Sequence, residues 1–160
     1  VYERRSEATF LAPCYLGVLV NAQKNGTSKK EGVEVMQFNR KPVIYVSGPL
    51  SLGDPVINTR RAVKEAEVIR EMGGVPIVPH MTIAWHLASP HEYDYWISYD
   101  LDLLNVCDAI YRIPGESKGA DLEVARMREL GKPVFDDPDN DMTCLVLWIQ
   151  AWNQEDANGN

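Results

Sequence analysis

Residues 43–49 have the sequence Val-Ile-Tyr-Val-Ser-Gly-Pro, and this short stretch decides the fold prediction. Four apolar residues, most of them β-branched, followed by a Gly-Pro pair are typical of a buried strand that ends in a loop. Asp54-Pro55 then supplies a helix N-cap and a first-turn proline, and apolar residues recur at helical spacing as far as Met72. The stretch therefore predicts a strand, a loop and a helix.

Three further strand patterns follow, and helical patterns alternate with them. The predicted strands cover residues 75–79, 109–113 and 134–135, and the predicted helices cover residues 93–106 and 118–130. This alternation predicts an α/β fold, a flavodoxin- or Rossmann-like parallel sheet flanked by helices on both faces. Because ligands of such sheets bind beyond the carboxyl ends of the strands, functional residues are expected in the loops after the first three strands.

The chain is predicted to have three parts. Residues 1–35 form an N-terminal extension, which is either dispensable for the fold or an ordinary helix packed on the domain. Residues 36–152 form the α/β domain. The polar residues 153–160 are expected to be a disordered tail.

The composition excludes several classes of protein. The 160 residues carry a formal charge of −7, and this argues against a nucleic-acid polymer or an anionic membrane as partner. No apolar run reaches the ~18 residues of a membrane span. The 3 cysteines are widely spaced and form no CxxC motif, which argues against zinc and disulfides and indicates a cytoplasmic protein. Three histidines, His80, His86 and His91, could together bind a metal ion. No acidic or thiol residue lies at ligand spacing from them, so a metal site is not expected.

The segment after the third strand, residues 115–123, contains the first candidate site. Ser117 is a natural N-cap, Gly119 allows close approach of a ligand, and the free amides of a helix N-terminus favour a phosphate or another anion. Glu123 lies four residues after Gly119, on the same helix face. It points either toward a ligand in this loop or into solvent.

A second carboxylate, Asp100, lies on the preceding helix, which can reach the same cleft. Two carboxyl groups that flank a cleft suit glycosidic chemistry, in which one attacks the sugar and the other serves the leaving group. The alternative for Asp100 is an exposed helix acid. Trp85 or Trp96 could stack on a base or fill the core, and Trp85 is the better stacking candidate because its neighbours form poor regular structure.

Six segments, in order, resemble the nucleoside 2-deoxyribosyltransferase-like superfamily. They are residues 44–49, 78–80, 99–104, 107–109, 117–123 and 131–134. The resemblance implies a flavodoxin-like fold, no metal or organic cofactor, and assembly as a dimer or larger homo-oligomer. It also implies Glu123 as nucleophile at the anomeric carbon, Asp100 as the acid that assists the departing base, and Tyr45 as the residue that positions Glu123. Gly48, Ser51, His80, Trp85, Ser117 and Gly119 are the expected substrate-binding residues.

Ser117 separates two branches of that superfamily. Transferases carry an Asp six residues before the nucleophile, which holds the sugar 5′-hydroxyl, whereas nucleotide N-hydrolases carry a Ser that accepts a 5′-phosphate. An arginine expected in the glycine-rich loop after the first strand is missing here. Ser51 stands near that position, and Arg60 or Arg61 is a candidate substitute.

We therefore expect a hydrolase that cleaves (deoxy)nucleoside 5′-monophosphates to a free base and (deoxy)ribose 5-phosphate. The alternatives are a nucleoside deoxyribosyltransferase and a nucleotide-binding sensor without catalysis. The apolar stretch 144–152 suggests a homodimer in which residues 141–143 border the partner's phosphate site. The alternative is that this stretch covers the sheet of its own protomer as a last helix.

Overall fold

Four strands alternate with five α-helices in the computed structural model, which describes residues 40–157 and the side chains of residues 40–154. The predicted extension, residues 1–35, lies outside the described residues. The strands are β1 (Val43–Ser47), β2 (Val75–Ile77), β3 (Ala109–Arg112) and β4 (Val134–Phe135). The helices are α1 (Pro55–Glu71), α2 (Thr82–Ala88), α3 (Tyr93–Val106), α4 (Lys118–Glu129) and α5 (Thr143–Ala157), and a 3₁₀ turn (Pro79–Met81) precedes α2.

The four strands form one parallel sheet in the order β2-β1-β3-β4. Tyr45 of β1 is paired with Ile77 on one side and with Ile110 on the other. The predicted α/β fold is thereby confirmed, and its arrangement is consistent with a flavodoxin- or Rossmann-like sheet. The chain leaves β1 toward β2 and returns to the other side at β3, so the crevice above β1 and β3 is the switch point where such folds bind ligands.

Alternation along β1 distributes its side chains between two cores. Ile44 and Val46 pack with residues of α1 and α5, including Ile69 and Ile149. Tyr45 faces the opposite way and packs with residues of α3 and α4. Helices therefore cover both faces of the sheet, and the side chains that share the face of Tyr45 point toward α4.

The end of α1 explains where its predicted apolar stripe differs from the observed one. In α1, Asp54 is the N-cap and accepts from the amides of Val56 and Ile57. Met72, predicted on the apolar stripe, is the C-cap residue and is exposed, because the helix ends at Glu71. In α3 the deeply buried residue is Leu104.

The apolar stretch 144–152 packs on the sheet of its own protomer. Leu145 and Ile149 are fully buried in the core beside α1, and Trp148 packs against the same core. The stretch therefore does not by itself indicate an interface, and only Leu147 remains as an exposed large apolar residue within it. The helix also continues to Ala157, past the predicted start of a disordered tail at residue 153, and Trp152 donates from Nε1 to the Arg40 carbonyl at 2.9 Å.

None of the helices within residues 40–157 combines the length and the apolar character that crossing a membrane requires.

Candidate active site

A cavity of about 720 Å³ opens beyond the carboxyl ends of β1 and β3. Its wall is made by the loop after β1, the 3₁₀ turn, α2, α3 and the start of α4. Seven of the predicted site residues line it: Gly48, Ser51, His80, Asp100, Ser117, Gly119 and Glu123. The loops that follow the strands therefore meet at the carboxyl edge of the sheet, as predicted from the parallel topology.

Glu123 occupies a core position of α4. The buried residues of this helix are Ala120, Glu123, Val124 and Met127, which follow the spacing of an apolar stripe. Glu123 is only 6% exposed, so a carboxylate stands where helix packing calls for an apolar side chain. The predicted alternative of a solvated Glu is therefore wrong. Burial of a carboxylate is costly unless hydrogen bonds satisfy its oxygens.

Two hydroxyl groups of β1 satisfy this carboxylate. Tyr45 donates from its hydroxyl to Oε1 of Glu123 at 3.0 Å, and Ser47 donates from Oγ to Oε2 at 2.5 Å. Both donors are fully buried. Because side chains two residues apart in a strand lie on the same face, Tyr45 and Ser47 each donate to one carboxylate oxygen of Glu123. The sequence did not single out Ser47, because a Ser before Gly-Pro is typical of a loop, yet the strand includes it.

Asp100 lies beside this pair. Its Oδ1 is buried, and no residue of the described part of the chain hydrogen-bonds it. Burial, and then the negative charge of Glu123, raise the pKa of Asp100 to about 7. Asp100 therefore holds a proton in acidic solution and loses it around pH 7, unlike the exposed helix acid that was the alternative.

The pKa of Glu123 depends on its burial, its hydrogen bonds and a nearby charge. Burial raises its pKa, whereas the hydrogen bonds from Ser47 and Tyr45 and the charge of Arg112 lower it. Glu123 is the sixth residue of α4, beyond the first turn to which the helix-dipole effect is confined, so the hydrogen bonds and Arg112 favour its ionised form more than the helix N-terminus does. Tyr45 has a pKa well above its usual range, through burial and then the charge of Glu123, so it remains a donor.

The start of α4 forms the end of the cavity that an anion could use. Ser117 is the N-cap, as predicted, and its Oγ accepts from the Ala120 amide at 3.3 Å. This contact uses a lone pair of the hydroxyl and leaves its proton available to a ligand. Lys118 also lines the cavity and is a residue that the sequence reasoning missed.

Neither candidate arginine substitute lines the cavity. Arg61 donates to the Pro114 carbonyl at 3.0 Å, and Arg60 is exposed on α1. Arg112 donates to the Gly115 carbonyl at 2.8 Å and to Asp121 at 3.0 Å. Arg61 and Arg112 therefore hold the loop that carries Ser117, while Lys118 contributes a positive charge to the cavity wall.

His80 supports the loop after β1. It is 2% exposed, and its Nε2 lies 3.1 Å from the Pro49 carbonyl, which accepts the Nε2 proton. Burial lowers the pKa of His80, so the ring is neutral. A Cβ at Gly48 would lie 3.0 Å from Ile113 Cβ and 3.6 Å from His80 Nε2, so this tight packing favours glycine there. Ser51 is exposed at the cavity edge.

The structure places Trp85 outside the cavity lining, contrary to its choice as the stacking residue. Residues 82–88 form a regular helix, and Trp85 makes edge contacts with Tyr95, Trp96 and Tyr99. Trp96 is the tryptophan that lines the cavity, together with His86 and His91. Within residues 40–157, no three His, Cys, Asp or Glu side chains are grouped so that they could hold a metal ion.

Comparison with families of known proteins gives a match over most of the described chain. A family described as "Domain of unknown function (DUF4406)" matches residues 42–136, which include β1 through β4 and every cavity-lining residue. No curated protein matches the chain.

Proposed function

The chain belongs to the DUF4406 family, and we propose that it hydrolyses the N-glycosidic bond of nucleoside 5′-monophosphates. The observation that carries this proposal is the Glu123 carboxylate, buried in a cavity wall and hydrogen-bonded through both oxygens. The pKa of Asp100 beside it is raised to about 7, so Asp100 retains a proton at pH values at which an ordinary carboxyl group has lost it. One ionised and one protonated carboxyl group are the nucleophile and acid that glycosidic cleavage requires.

In the first step, a Glu123 oxygen bonds to the anomeric carbon as the bond from that carbon to the base nitrogen breaks. The electron pair of the broken bond stays with the base, and Asp100 donates its proton to the base. The product is a glycosyl ester of Glu123 and a neutral free base. Tyr45 and Ser47 hold the attacking carboxylate in one orientation, which reduces the entropic cost of reaching the transition state.

In the second step, water attacks the anomeric carbon and the ester bond to Glu123 breaks. The Asp100 carboxylate takes the proton from this water and returns to its starting state. The sugar 5-phosphate leaves with a hydroxyl on its anomeric carbon, and Glu123 is again a carboxylate. The step consumes one water and needs no other co-reactant.

The α4 N-terminus supports the choice of a 5′-monophosphate. Ser117 keeps its hydroxyl proton for a ligand, and Lys118 adds a positive charge beside it. Backbone amides in the first turn of a helix favour a phosphate. A phosphate bound there would be held by neutral donors and one lysine instead of by an arginine.

Chromatography of a panel of nucleosides and nucleoside 5′-monophosphates tests the proposal. We expect free base and sugar 5-phosphate from the monophosphates, and far less product from the matching nucleosides. The same reactions with a competing free base added test the transferase alternative, since a transferase would form a new nucleoside or nucleotide. Glu123→Gln protein serves as the control for contaminating hydrolases.

Two results would contradict the proposed hydrolysis, and a third would contradict the choice of a monophosphate. Exchange of bases without net hydrolysis would assign the chain as a transferase. Binding of nucleotides without turnover in the wild-type protein would assign it as a sensor. Equal cleavage of nucleoside and monophosphate would remove the phosphate from the substrate definition and leave the carboxylate mechanism in place.

A further inference from the structure

One wall of the cavity is aromatic and takes no part in the two proposed steps of hydrolysis. We define this wall as the side chains of His86, His91 and Trp96, all of which line the cavity. The rings are packed edge to face, with centroids 5.8 Å apart for His86 and Trp96 and 5.7 Å apart for His91 and Trp96. Planar rings of this kind suit the faces of a heterocyclic base.

His86 has a fixed protonation pattern within this wall. Its Nδ1 accepts from Trp96 Nε1 at 3.0 Å and also lies 3.5 Å from the His91 backbone amide. Indole and amide N–H groups are only donors, so Nδ1 carries no proton. The neutral ring therefore carries its proton on Nε2 and acts as a donor there.

We propose that the aromatic wall binds the base and that His86 Nε2–H donates to a keto oxygen of that base. The inference rests on the proposed function and names the base class of the substrate. Uracil, thymine, hypoxanthine and guanine present a keto oxygen where cytosine and adenine present an amino group. An amino group is itself a donor, so it would face His86 Nε2–H with both donors unpaired.

Binding of UMP against CMP, and of IMP against AMP, tests the proposal. Titration calorimetry on Glu123→Gln protein measures these affinities without turnover. At least one keto member should bind about ten- to hundred-fold more tightly than its amino counterpart, because an unpaired buried donor is costly. Each pair differs at the keto or amino position and in the proton on the neighbouring ring nitrogen, and keeps ring size and phosphate constant.

Two substitutions of His86 separate its two nitrogens. His86→Asn keeps an oxygen near the Nδ1 position for the Trp96 N–H and loses the distal donor, so the keto preference should fall to about twofold or less. His86→Gln keeps an N–H near the Nε2 position and should retain a preference. Leu87→Ala, an exposed change on the same helix outside the cavity lining, should retain the full preference.

The outcomes distinguish the two proposals. Equal affinities within both pairs, or a preference that survives in His86→Asn, would overturn the role of His86. A preference that the wild-type protein shows without cleaving any nucleotide would support the base subsite and overturn the hydrolase. Absence of any nucleotide binding would overturn both. If His86→Asn unfolds on thermal denaturation, Trp96→Phe provides the test, since it frees His86 to present either nitrogen and should weaken the preference.

Discussion

Ser47 donates a hydrogen bond of 2.5 Å to Oε2 of Glu123, and both side chains are buried. Tyr45, two residues earlier on the same strand, donates to Oε1 at 3.0 Å. A carboxylate held through both oxygens has one orientation, and hydrogen bonds to the charged form favour ionisation. The alternation of β1 therefore both orients Glu123 and opposes the rise in its pKa that burial causes.

Replacing Ser47 by Ala should slow hydrolysis about ten- to hundred-fold, since a hydrogen bond to a charged group contributes about 1.5–3 kcal/mol. Loss of this donor should also raise the pKa of Glu123 and move the acid limb of the pH–rate profile to higher pH. Steady-state kinetics across a pH series measure both effects. Ser98→Ala, an exposed change on α3, is the matched control. A slower enzyme with an unmoved acid limb would contradict the role of Ser47 in ionisation.

Glu123→Gln and Glu123→Ala should each reduce base release by about 10³-fold or more, as loss of a nucleophile typically does. Nucleotide binding should persist because the phosphate and the base are expected to contact other residues. The neutral Gln avoids the cost of burying a charge, so the melting temperature of Glu123→Gln should equal or exceed that of the wild type. Product chromatography, calorimetry and thermal denaturation check the three parts. Turnover of either variant at the wild-type rate would exclude Glu123 as nucleophile.

Asp100 should make stability depend on pH. Its pKa is raised from 3.8 to about 7 in the folded chain, so between these values unfolding releases a proton and the free energy of unfolding falls as pH rises. The Asp100→Asn variant lacks this titration. Its melting temperature should exceed that of the wild type at about pH 8, and the difference should shrink toward about pH 4.

The activity of the wild type should fall above about pH 7 as Asp100 loses its proton, and Asp100→Asn should be strongly impaired at every pH. Asp102→Asn is the matched control, because Asp102 is exposed and outside the cavity lining. Its stability curve should run parallel to that of the wild type. Parallel curves for Asp100→Asn and the wild type would show that Asp100 is not the buried acid.

Ser117→Asp should reverse or erase the preference for monophosphates over nucleosides. Asp is a good N-cap, so α4 should keep its start and the change acts through charge. Repulsion of the phosphate and loss of a charge-assisted hydrogen bond should reduce the preference by one to two decades, at about 1.5–3 kcal/mol for each bond. Ser117→Thr keeps the hydroxyl and should retain the preference. An unchanged ratio of kcat/KM values in Ser117→Asp would place the phosphate elsewhere.

The sequence predicted the sheet, and most of its predicted site residues line the cavity, because strand patterns and loop positions are local features. Parallel topology alone brings Gly48, His80 and Ser117 to one edge. The roles of Ser47 and Trp96 depend on contacts between elements distant in sequence, and no local pattern carries that information. The poor regular pattern of residues 81–86 favours Trp85 over Trp96 as the stacking residue, whereas these residues lie largely in a helix over residues 82–88 that places Trp85 outside the cavity lining.

A homodimer with shared sites stays a prediction, but the apolar stretch 144–152 no longer supports it, and exposed apolar residues elsewhere do. Leu145, Trp148 and Ile149 of α5 pack in the core of their own protomer. Leu52, Val56 and Ile57 are exposed around the start of α1, and Leu52 lines the cavity. Exposed apolar residues at a cavity edge are typical of a surface that another chain covers. Light scattering at micromolar concentration should give twice the monomer mass. A strictly monomeric active enzyme would exclude shared sites.

Complementation tests whether residues 141–143 reach the partner's phosphate. Asp141 accepts from the backbone amide and the hydroxyl of Thr143 at 2.8 Å and 2.5 Å, and neither residue lines the cavity of its own protomer. Glu123→Ala and Thr143→Arg should each be inactive alone. If the two chains are unfolded together and refolded as a mixture, half of the dimers should be hybrids. Each hybrid would pair the intact Glu123 of one chain with the intact Thr143 of the other at one of its two sites. About a quarter of wild-type activity should therefore return.

A mixture of Glu123→Ala and Glu123→Gln is the control and should remain inactive, because neither chain supplies the nucleophile. No recovery from a mixture shown to contain hybrids would exclude Thr143 from the partner's site.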